Sequence, residues 1–412
     1  MGQLAIAGGR PVRDEPWPVW PQYSQAARDA VARVARSDVY CSQVGGEVER
    51  FERGFADYHG VAHAVAVASG TVALQAALAA AGIGCADEVI VPAYTFAATA
   101  SAAVENNAIP VFVDAEHRSQ GLDPEDVLRK TSPRTRAIMP VHVNGYPCDM
   151  DAVMAIAAEH DLVVVEDCAH AHGADYRGRK VGTMGHFGCF SFQHKKNMSL
   201  GEGGIVLTDD GEAAERMRAM RTFAWAPVGR NWRMSEFHAA VGQEQLKVLD
   251  EGNEERRRNV ATLLDALGTV DGITPLPGLP ETNPVYYNLI LQYDEAEVGA
   301  SRRAFVAALK AEGIAIHMFY VPVQRWPIFT HADFFGRGCP FSCPKHPGGP
   351  VDYRQVSTPV ADAICDRVNL EIKVQPTSGE TEMFQIAEAI RKIVENRAEL
   401  KQVDQHMREG RA

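Results

Sequence analysis

Between residues 60 and 210, short apolar runs alternate with stretches whose apolar residues recur at helical spacing. The runs are 63–68, 88–92, 109–113, 137–141, 162–165, 188–192 and 205–208. They are nearly continuous in apolar residues, the pattern of strands covered on both faces. Residues 71–81, 149–159 and 212–220 are helical candidates between them. This alternation predicts an α/β domain built on a mostly parallel, seven-stranded sheet. Periodicity leaves the direction of the last run open. Residues 234–262 read as one long helix, charged at Glu254-Glu255-Arg256-Arg257-Arg258, that leads out of this domain. Beyond it, 286–292 and 314–320 are strand-like, and 302–311 and 383–394 are helical, which predicts a smaller α+β domain. The expected division is a large domain over 1–250 and a small one over 251–412. Residues 339–352, rich in Pro and Gly, read as an extended loop, and the polar tail from Arg397 as a fraying end.

Composition narrows the function classes. The chain has 412 residues and a formal charge of −12, with 41 basic against 53 acidic residues. That balance argues against nucleic acid or an anionic membrane as the main partner. A DNA-binding regulator would need an added helix-turn-helix domain, and the chain shows no basic helical extension. The most apolar stretch, 65–84, is broken by Ser69, Gly70, Thr71 and Gln75, which suits a strand, a turn and a buried helix better than a membrane span. No signal peptide is evident, and the eight cysteines form no disulfide framework. Cys339, Cys343 and His346 are the one close group, a ligand short of a structural zinc site, so no metal is expected. A cytoplasmic protein is the reading.

Four segments carry candidate chemistry. Ala68-Ser69-Gly70-Thr71 joins a strand to an apolar helix, and small residues at a helix start let backbone N–H groups approach a phosphate. Pro92-Ala93-Tyr94-Thr95-Phe96 puts aromatic rings at a strand's carboxyl end, where one can stack on a flat cofactor. Asp167 closes the run Leu162-Val163-Val164-Val165-Glu166, where a carboxylate is in low dielectric and needs a partner; His170 follows three residues on. Lys195 and Lys196 follow a strand that ends near Ser191, ahead of Gly201-Glu202-Gly203-Gly204. Each segment alone has an ordinary reading, as a helix cap, a core aromatic or a salt bridge. Their order on one sheet is what counts: phosphate turn, aromatic, acid, lysine, all at strand carboxyl ends. A buried acid 29 positions before a strand-end lysine suits pyridoxal 5'-phosphate. The lysine holds that cofactor as a Schiff base, the acid keeps its pyridine nitrogen protonated, His170 reaches its phenolic oxygen and Ser191 donates to its phosphate. First principles do not choose between the two lysines.

From Gly45 to the end of the second domain the chain resembles the DegT/DnrJ/EryC1/StrS family of pyridoxal-phosphate-dependent aminotransferases. The matching stretches include Ser69-Gly70-Thr71-Val72-Ala73-Leu74, Val91-Pro92-Ala93-Tyr94-Thr95-Phe96, Glu166-Asp167-Cys168-Ala169-His170-Ala171-His172-Gly173 and Gly229-Arg230-Asn231-Trp232-Arg233-Met234-Ser235-Glu236. The resemblance implies fold type I architecture and transamination of a sugar or cyclitol. It places the Schiff base on Lys196, the pyridine-nitrogen acid on Asp167 and its Gln-or-His contact on His170. It places the stacking ring on Phe96 and the phosphate contacts on Gly70, Thr71 and Ser191. Asn231 matches an asparagine that family members lend to a neighbouring subunit's phosphate, which implies a homodimer with shared active sites. Gly8-Gly9-Arg10-Pro11-Val12-Arg13 and Pro16-Trp17-Pro18-Val19-Trp20-Pro21 look like the glutamine-dependent cyclitol aminotransferases of aminoglycoside pathways. The expected reaction moves an amino group from L-glutamine or L-glutamate to a keto-cyclitol of the scyllo-inosose kind or a keto-sugar. A nucleotide-linked keto-sugar aminotransferase, a 3-amino-5-hydroxybenzoate synthase and a non-catalytic regulator are the alternatives. Residues 339–352 and Leu370-Glu371-Ile372-Lys373-Val374 depart from the pattern. Tyr320 and Arg325 are candidates for a substrate's carboxylate or hydroxyl groups, and Arg325 is equally suited to the surface.

Overall fold

The computed structural model describes residues 2–410 apart from 224–227, 319, 343, 347 and 348. Cys343 of the cysteine group therefore lies outside the described residues, and His346 is engaged elsewhere, its Nε2 lying 3.2 Å from Glu88 Oε1. Seven strands form the main sheet: β1 (His63–Val67), β2 (Glu88–Pro92), β3 (Ile109–Val113), β4 (Thr135–Ile138), β5 (Val163–Asp167), β6 (Phe187–Ser191) and β7 (Gly204–Thr208). Their order is β1-β7-β6-β5-β4-β2-β3. All are parallel except β7, which runs antiparallel to both β1 and β6. The continuous apolar runs have their cause in packing, because each face of the sheet carries its own core. Phe51, Phe55, Ile90 and Val164 belong to one cluster, and Val65, Val67, Val89 and Val165 to the other. The most apolar stretch of the chain is β1 followed by helix α1 (Gly70–Ala80), whose Ala73, Leu74, Ala77 and Leu78 are buried against the sheet beside helix α2 (Gly211–Met220). No helix among the described residues is long and apolar enough to cross a membrane.

The expected long helix over 234–262 is two. Helix α3 (Glu236–Lys247) and helix α4 (Leu249–Leu267) meet at Val248, whose φ −109° and ψ 4° break the helical path. The two halves serve different bodies, α3 packing on Gln25–Ser37 and Glu47–His59 and α4 on Glu380–Glu395, so the chain has to bend between them. Within the charged run, Arg256 is not a surface residue. It is 1 % exposed, with its guanidinium 4.7 Å from the Trp20 ring centre.

The second body carries an antiparallel sheet, β8 (Ile273–Pro275), β9 (Leu289–Tyr293), β10 (Ile316–His317) and β11 (Asn369–Ile372), in the order β8-β9-β11-β10. The strand expected over 286–292 starts three residues late, because Tyr286 takes a positive φ of 47°. Of the strand expected over 314–320, the described residues form Ile316–His317, and Phe319 lies outside the described residues. Helices α5 (Arg302–Ala311) and α6 (Glu380–Glu395) cover this sheet, burying Phe305, Leu309, Ile386 and Ile390. The tail expected to fray is instead the helix Arg397–Arg408. Its Leu400 and Asp404 are buried, and Asp404 accepts the Ser301 N–H at 2.9 Å and the Ser301 hydroxyl at 2.6 Å.

Two segments do not stay with their sequence neighbours. The described residues of 323–353 return to the first body, where Phe329 and Tyr353 pack on Phe112 and Phe341 packs on both of them. The start of the chain docks on the second body. Leu4 joins its core, Glu312 accepts the Ala5 and Val12 N–H groups at 2.9 and 3.1 Å, and the Trp17 indole donates to the Gly313 carbonyl at 2.8 Å. This arm brings Trp20 to the wall of the cavity described next.

Candidate active site

The site is assembled from the carboxyl ends of β1, β2, β5 and β6. After β1, Ser69 caps α1 by accepting the Val72 N–H at 3.3 Å. Gly70 and Thr71 are the first two helical residues, so their N–H groups have no acceptor within the helix, and the helix start favours an anion. Gly70 is pressed against β6: a Cβ there would lie 2.4 Å from Ser191 Cβ, so the chain can pass only as glycine. After β2, Tyr94 turns into the core at 1 % exposure, whereas Phe96 stays 44 % exposed on the cavity wall. Of the two aromatics, Phe96 is the one whose ring stands on the cavity wall.

At the end of β5, two adjacent carboxylates have opposite fates. Glu166 is fully buried and saturated. It accepts the Gly182, Met184 and Gly185 N–H groups at 2.7, 2.8 and 2.6 Å, and His142 Nε2 lies 3.1 Å away. His142 Nδ1 accepts the Cys148 N–H at 3.1 Å, which leaves the ring proton on Nε2 to be donated to Glu166. Cys168 lies beside this pair, but the carboxylate's lone pairs are already taken, so the trio is a structural network. Asp167 accepts from Thr99 Oγ1 at 2.9 Å and from the Ala169 N–H at 3.1 Å, and no cation of the described residues lies within ion-pair distance. Burial pushes its pKa up, against the pull of those hydrogen bonds and of the Lys196 charge. Asp167 is a buried acid short of a cation.

Beyond β6, the turn closed by the Lys196 N–H donating to the Gln193 carbonyl at 2.8 Å separates the two lysines. Lys195 is exposed at the rim. Lys196 is half-buried, and burial lowers its pKa to about 8, with Asp167 pulling the other way. Its Nζ is 4.9 Å from the centre of the Tyr287 ring. That ring stacks on His170, with centroids 4.1 Å apart and planes at 4°. His170 Nδ1 accepts the Asn144 N–H at 3.3 Å, and burial, then the Lys196 and Lys373 charges, keep the ring neutral with its proton on Nε2. Tyr320 completes this side, its hydroxyl 3.5 Å from His170 Nε2.

These groups line one cavity of about 520 Å³, within the usual range for a small-molecule site. It brings together Gly70, Thr71, Phe96, Asp167, His170, Ser191, Lys196 and Tyr320 of the expected residues. Two expected residues are elsewhere. Arg325 is exposed and paired with Asp362 at 2.8 Å and Asp366 at 2.9 Å, so its charge is already spent on the surface. Asn231 is exposed, has a φ of 57°, and does not line its own chain's cavity. The cavity also holds Trp20, Tyr287, Glu371 and Lys373, which the sequence reading did not assign. The departure noted at 370–374 was the available signal for the last two.

The model of the DegT/DnrJ/EryC1/StrS aminotransferase family matches residues 21–342. The chain is 38 % identical to an L-glutamine:2-deoxy-scyllo-inosose aminotransferase of Streptoalloteichus tenebrarius, over 97 % of this chain and 99 % of that one. It is 41 % identical to a 3-amino-5-hydroxybenzoate synthase of Amycolatopsis mediterranei, over 64 % of this chain and 70 % of that one. An aminotransferase structure from Psychrobacter cryohalolentis superposes with a TM-score of 0.83 at 32 % identity, covering 92 % of this chain and 99 % of that one.

Proposed function

The chain belongs to the DegT/DnrJ/EryC1/StrS aminotransferase family, and on that premise we propose that it carries the amino group of L-glutamine to a keto-cyclitol of the 2-deoxy-scyllo-inosose kind. The products are 2-oxoglutaramate and the corresponding aminocyclitol. The observation that carries this reading is the cavity itself, where a free helix start, a buried acid without a cation and a lysine of lowered pKa share one space.

The residues present fit pyridoxal 5'-phosphate. Gly70 and Thr71 N–H groups and the Ser191 hydroxyl would hold its phosphate, where a Cβ on Gly70 would close the approach. Phe96 would cover one face of its ring, and Asp167 would pair with its pyridine nitrogen. When bound, the cofactor supplies an aldehyde carbon that carries the amino group and a ring that takes up electrons. The protein supplies the proton traffic. Lys196 Nζ, whose hold on its proton burial weakens, would take the proton from the donor's α-carbon and return it two bonds away, across the donor nitrogen. Neutral His170, clamped by Tyr287 and Asn144, presents its Nε2 proton to an oxygen. Asn231 lies outside its own cavity, which supports a homodimer in which it serves the neighbour's phosphate, as the family resemblance implies.

A panel of keto-cyclitols and keto-sugars fed with L-glutamine, read by product mass and stereochemistry, tests this. Amination of 2-deoxy-scyllo-inosose or scyllo-inosose is expected, and turnover restricted to nucleotide-linked sugars would refute it. The likeness to a 3-amino-5-hydroxybenzoate synthase favours a second reading, aromatisation, which a new ultraviolet chromophore in the product would reveal.

A further inference from the structure

Strand β11 brings into the cavity a cation that the reading above does not use. Its alternate residues part: Leu370, Ile372 and Val374 enter the core of the second body, while Glu371, Lys373 and Gln375 line the cavity. The Lys373 ammonium donates to the Tyr287 carbonyl at 3.0 Å and lies 3.4 Å from the centre of the Tyr287 ring. His170 is stacked 4.1 Å from the same ring, too close for an ammonium to fit between, so Lys373 occupies the other face. No carboxylate of the described residues lies within ion-pair distance of Lys373. Glu371, its neighbour on the strand, is met by the Tyr94 hydroxyl instead, at 3.4 Å. Lys196 approaches the same Tyr287 ring at 4.9 Å, so the two amines are no farther apart than these two ring distances together. A half-buried amine facing a second one, with a neutral carbonyl and the Tyr287 ring for partners and its pKa lowered to about 7 first by burial and then by Lys196, is stabilised in its charged form by an anion.

We propose that Lys373 binds the α-carboxylate of the amino donor and so sets the preference of this cavity for an amino acid in the first half-reaction. This rests on the aminotransferase reading. The donor nitrogen would take the place of Lys196 Nζ, and its carboxylate, two bonds from that nitrogen, would have Lys373 as the second amine beside the same Tyr287 ring. The cofactor phosphate, the other anion of the cavity, has the Gly70 and Thr71 N–H groups. A keto-cyclitol brings no anion, and Glu371 and Gln375 beside Lys373 offer acceptors and donors for its hydroxyls.

The test uses cofactor-loaded enzyme, its Lys373→Met variant and its Lys373→Arg variant. Glutaramate, which is glutamine without the amine, is titrated by calorimetry, with scyllo-inositol as the neutral comparison. Loss of a charge-assisted hydrogen bond predicts glutaramate binding weaker by about 30-fold in Lys373→Met and largely recovered in Lys373→Arg. Scyllo-inositol binding and cofactor content stay unchanged. Unchanged glutaramate binding, or none to the wild type, overturns the proposal. Equal weakening of both ligands assigns Lys373 to packing, and loss of cofactor assigns it to the phosphate; either result also overturns it. Single-turnover conversion of the cofactor from aldehyde to amine form by L-glutamine is followed in the wild type. Its absence there would sink the aminotransferase reading, a failure distinct from any outcome in the variants.

Discussion

Replacing Lys196 by Met should stabilise the cofactor-free protein at neutral pH. Burial lowers the Lys196 pKa from 10.5 to about 8, so the folded protein binds its proton more weakly than the unfolded chain does. At pH 7 the amine is charged in both states, and the charge destabilises the fold by about 3 kcal/mol, at about 1.36 kcal/mol per pKa unit. Between pH 8 and 10.5 the unfolded chain holds more protons than the folded one, so wild-type stability rises with pH there. The advantage of Lys196→Met therefore shrinks to about 1.4 kcal/mol at pH 9.5 and vanishes above the unfolded pKa. Removing the charge also relieves Lys373, whose pKa is depressed first by burial and then by Lys196, which adds in the same direction. Reversible urea unfolding of the two apoproteins at pH 7.0 and 9.5 measures the gap. Equal midpoints at pH 7.0, or a gap that widens with pH, would show that Lys196 is solvated and that burial does not activate it.

Gly70→Ala should weaken cofactor binding by at least about tenfold and cost about 1–3 kcal/mol of stability, because its Cβ meets Ser191 Cβ at 2.4 Å; cofactor titration and urea unfolding read the two effects. Asp167→Asn should slow the L-glutamine half-reaction by at least about 100-fold in stopped-flow absorbance, since the carboxylate that would hold a protonated pyridine nitrogen is gone. Mixing Lys196→Ala and Asn231→Ala protomers, each impaired alone, should restore roughly a quarter of wild-type turnover, because half of randomly mixed dimers hold one native site of two; no recovery would refute shared sites. Arg325→Ala should leave kcat/KM within about twofold, as expected of an exposed ion pair.

The sheet was legible because strands buried on both faces leave continuous apolar runs that little else produces. The direction of β7 was not, since a strand buried on two faces reads the same either way. The order of site segments survived folding because each followed a strand at its carboxyl end, where α/β sheets place ligands. The choice between Lys195 and Lys196 needed either the family pattern or the turn at Gln193, which exposes one amine and half-buries the other. Tyr287, Glu371 and Lys373 were missed for a different reason. They reach the cavity from the second body, and only tertiary packing brings them to it. Arg256 and Arg325 show that charge alone is a poor guide. An arginine in a charged helical run is buried under Trp20, and one that looked free to meet substrate is held by Asp362 and Asp366.

The arm that delivers Trp20 has an implication for synthesis. It is translated before the rest of the fold, yet the groups that clasp it, Glu312, Gly313, Glu382 and Glu399, leave the ribosome about three hundred to four hundred residues later. At roughly 5–20 residues per second, that is a wait of about 15–80 s. During it the arm has no clasp beyond Arg256 under Trp20, and the cavity lacks one wall even after β1 to β7 are complete. A nascent chain stalled after residue 300 should therefore hold its sheet but leave Trp20 quenchable by solvent, and release of the full chain should protect it.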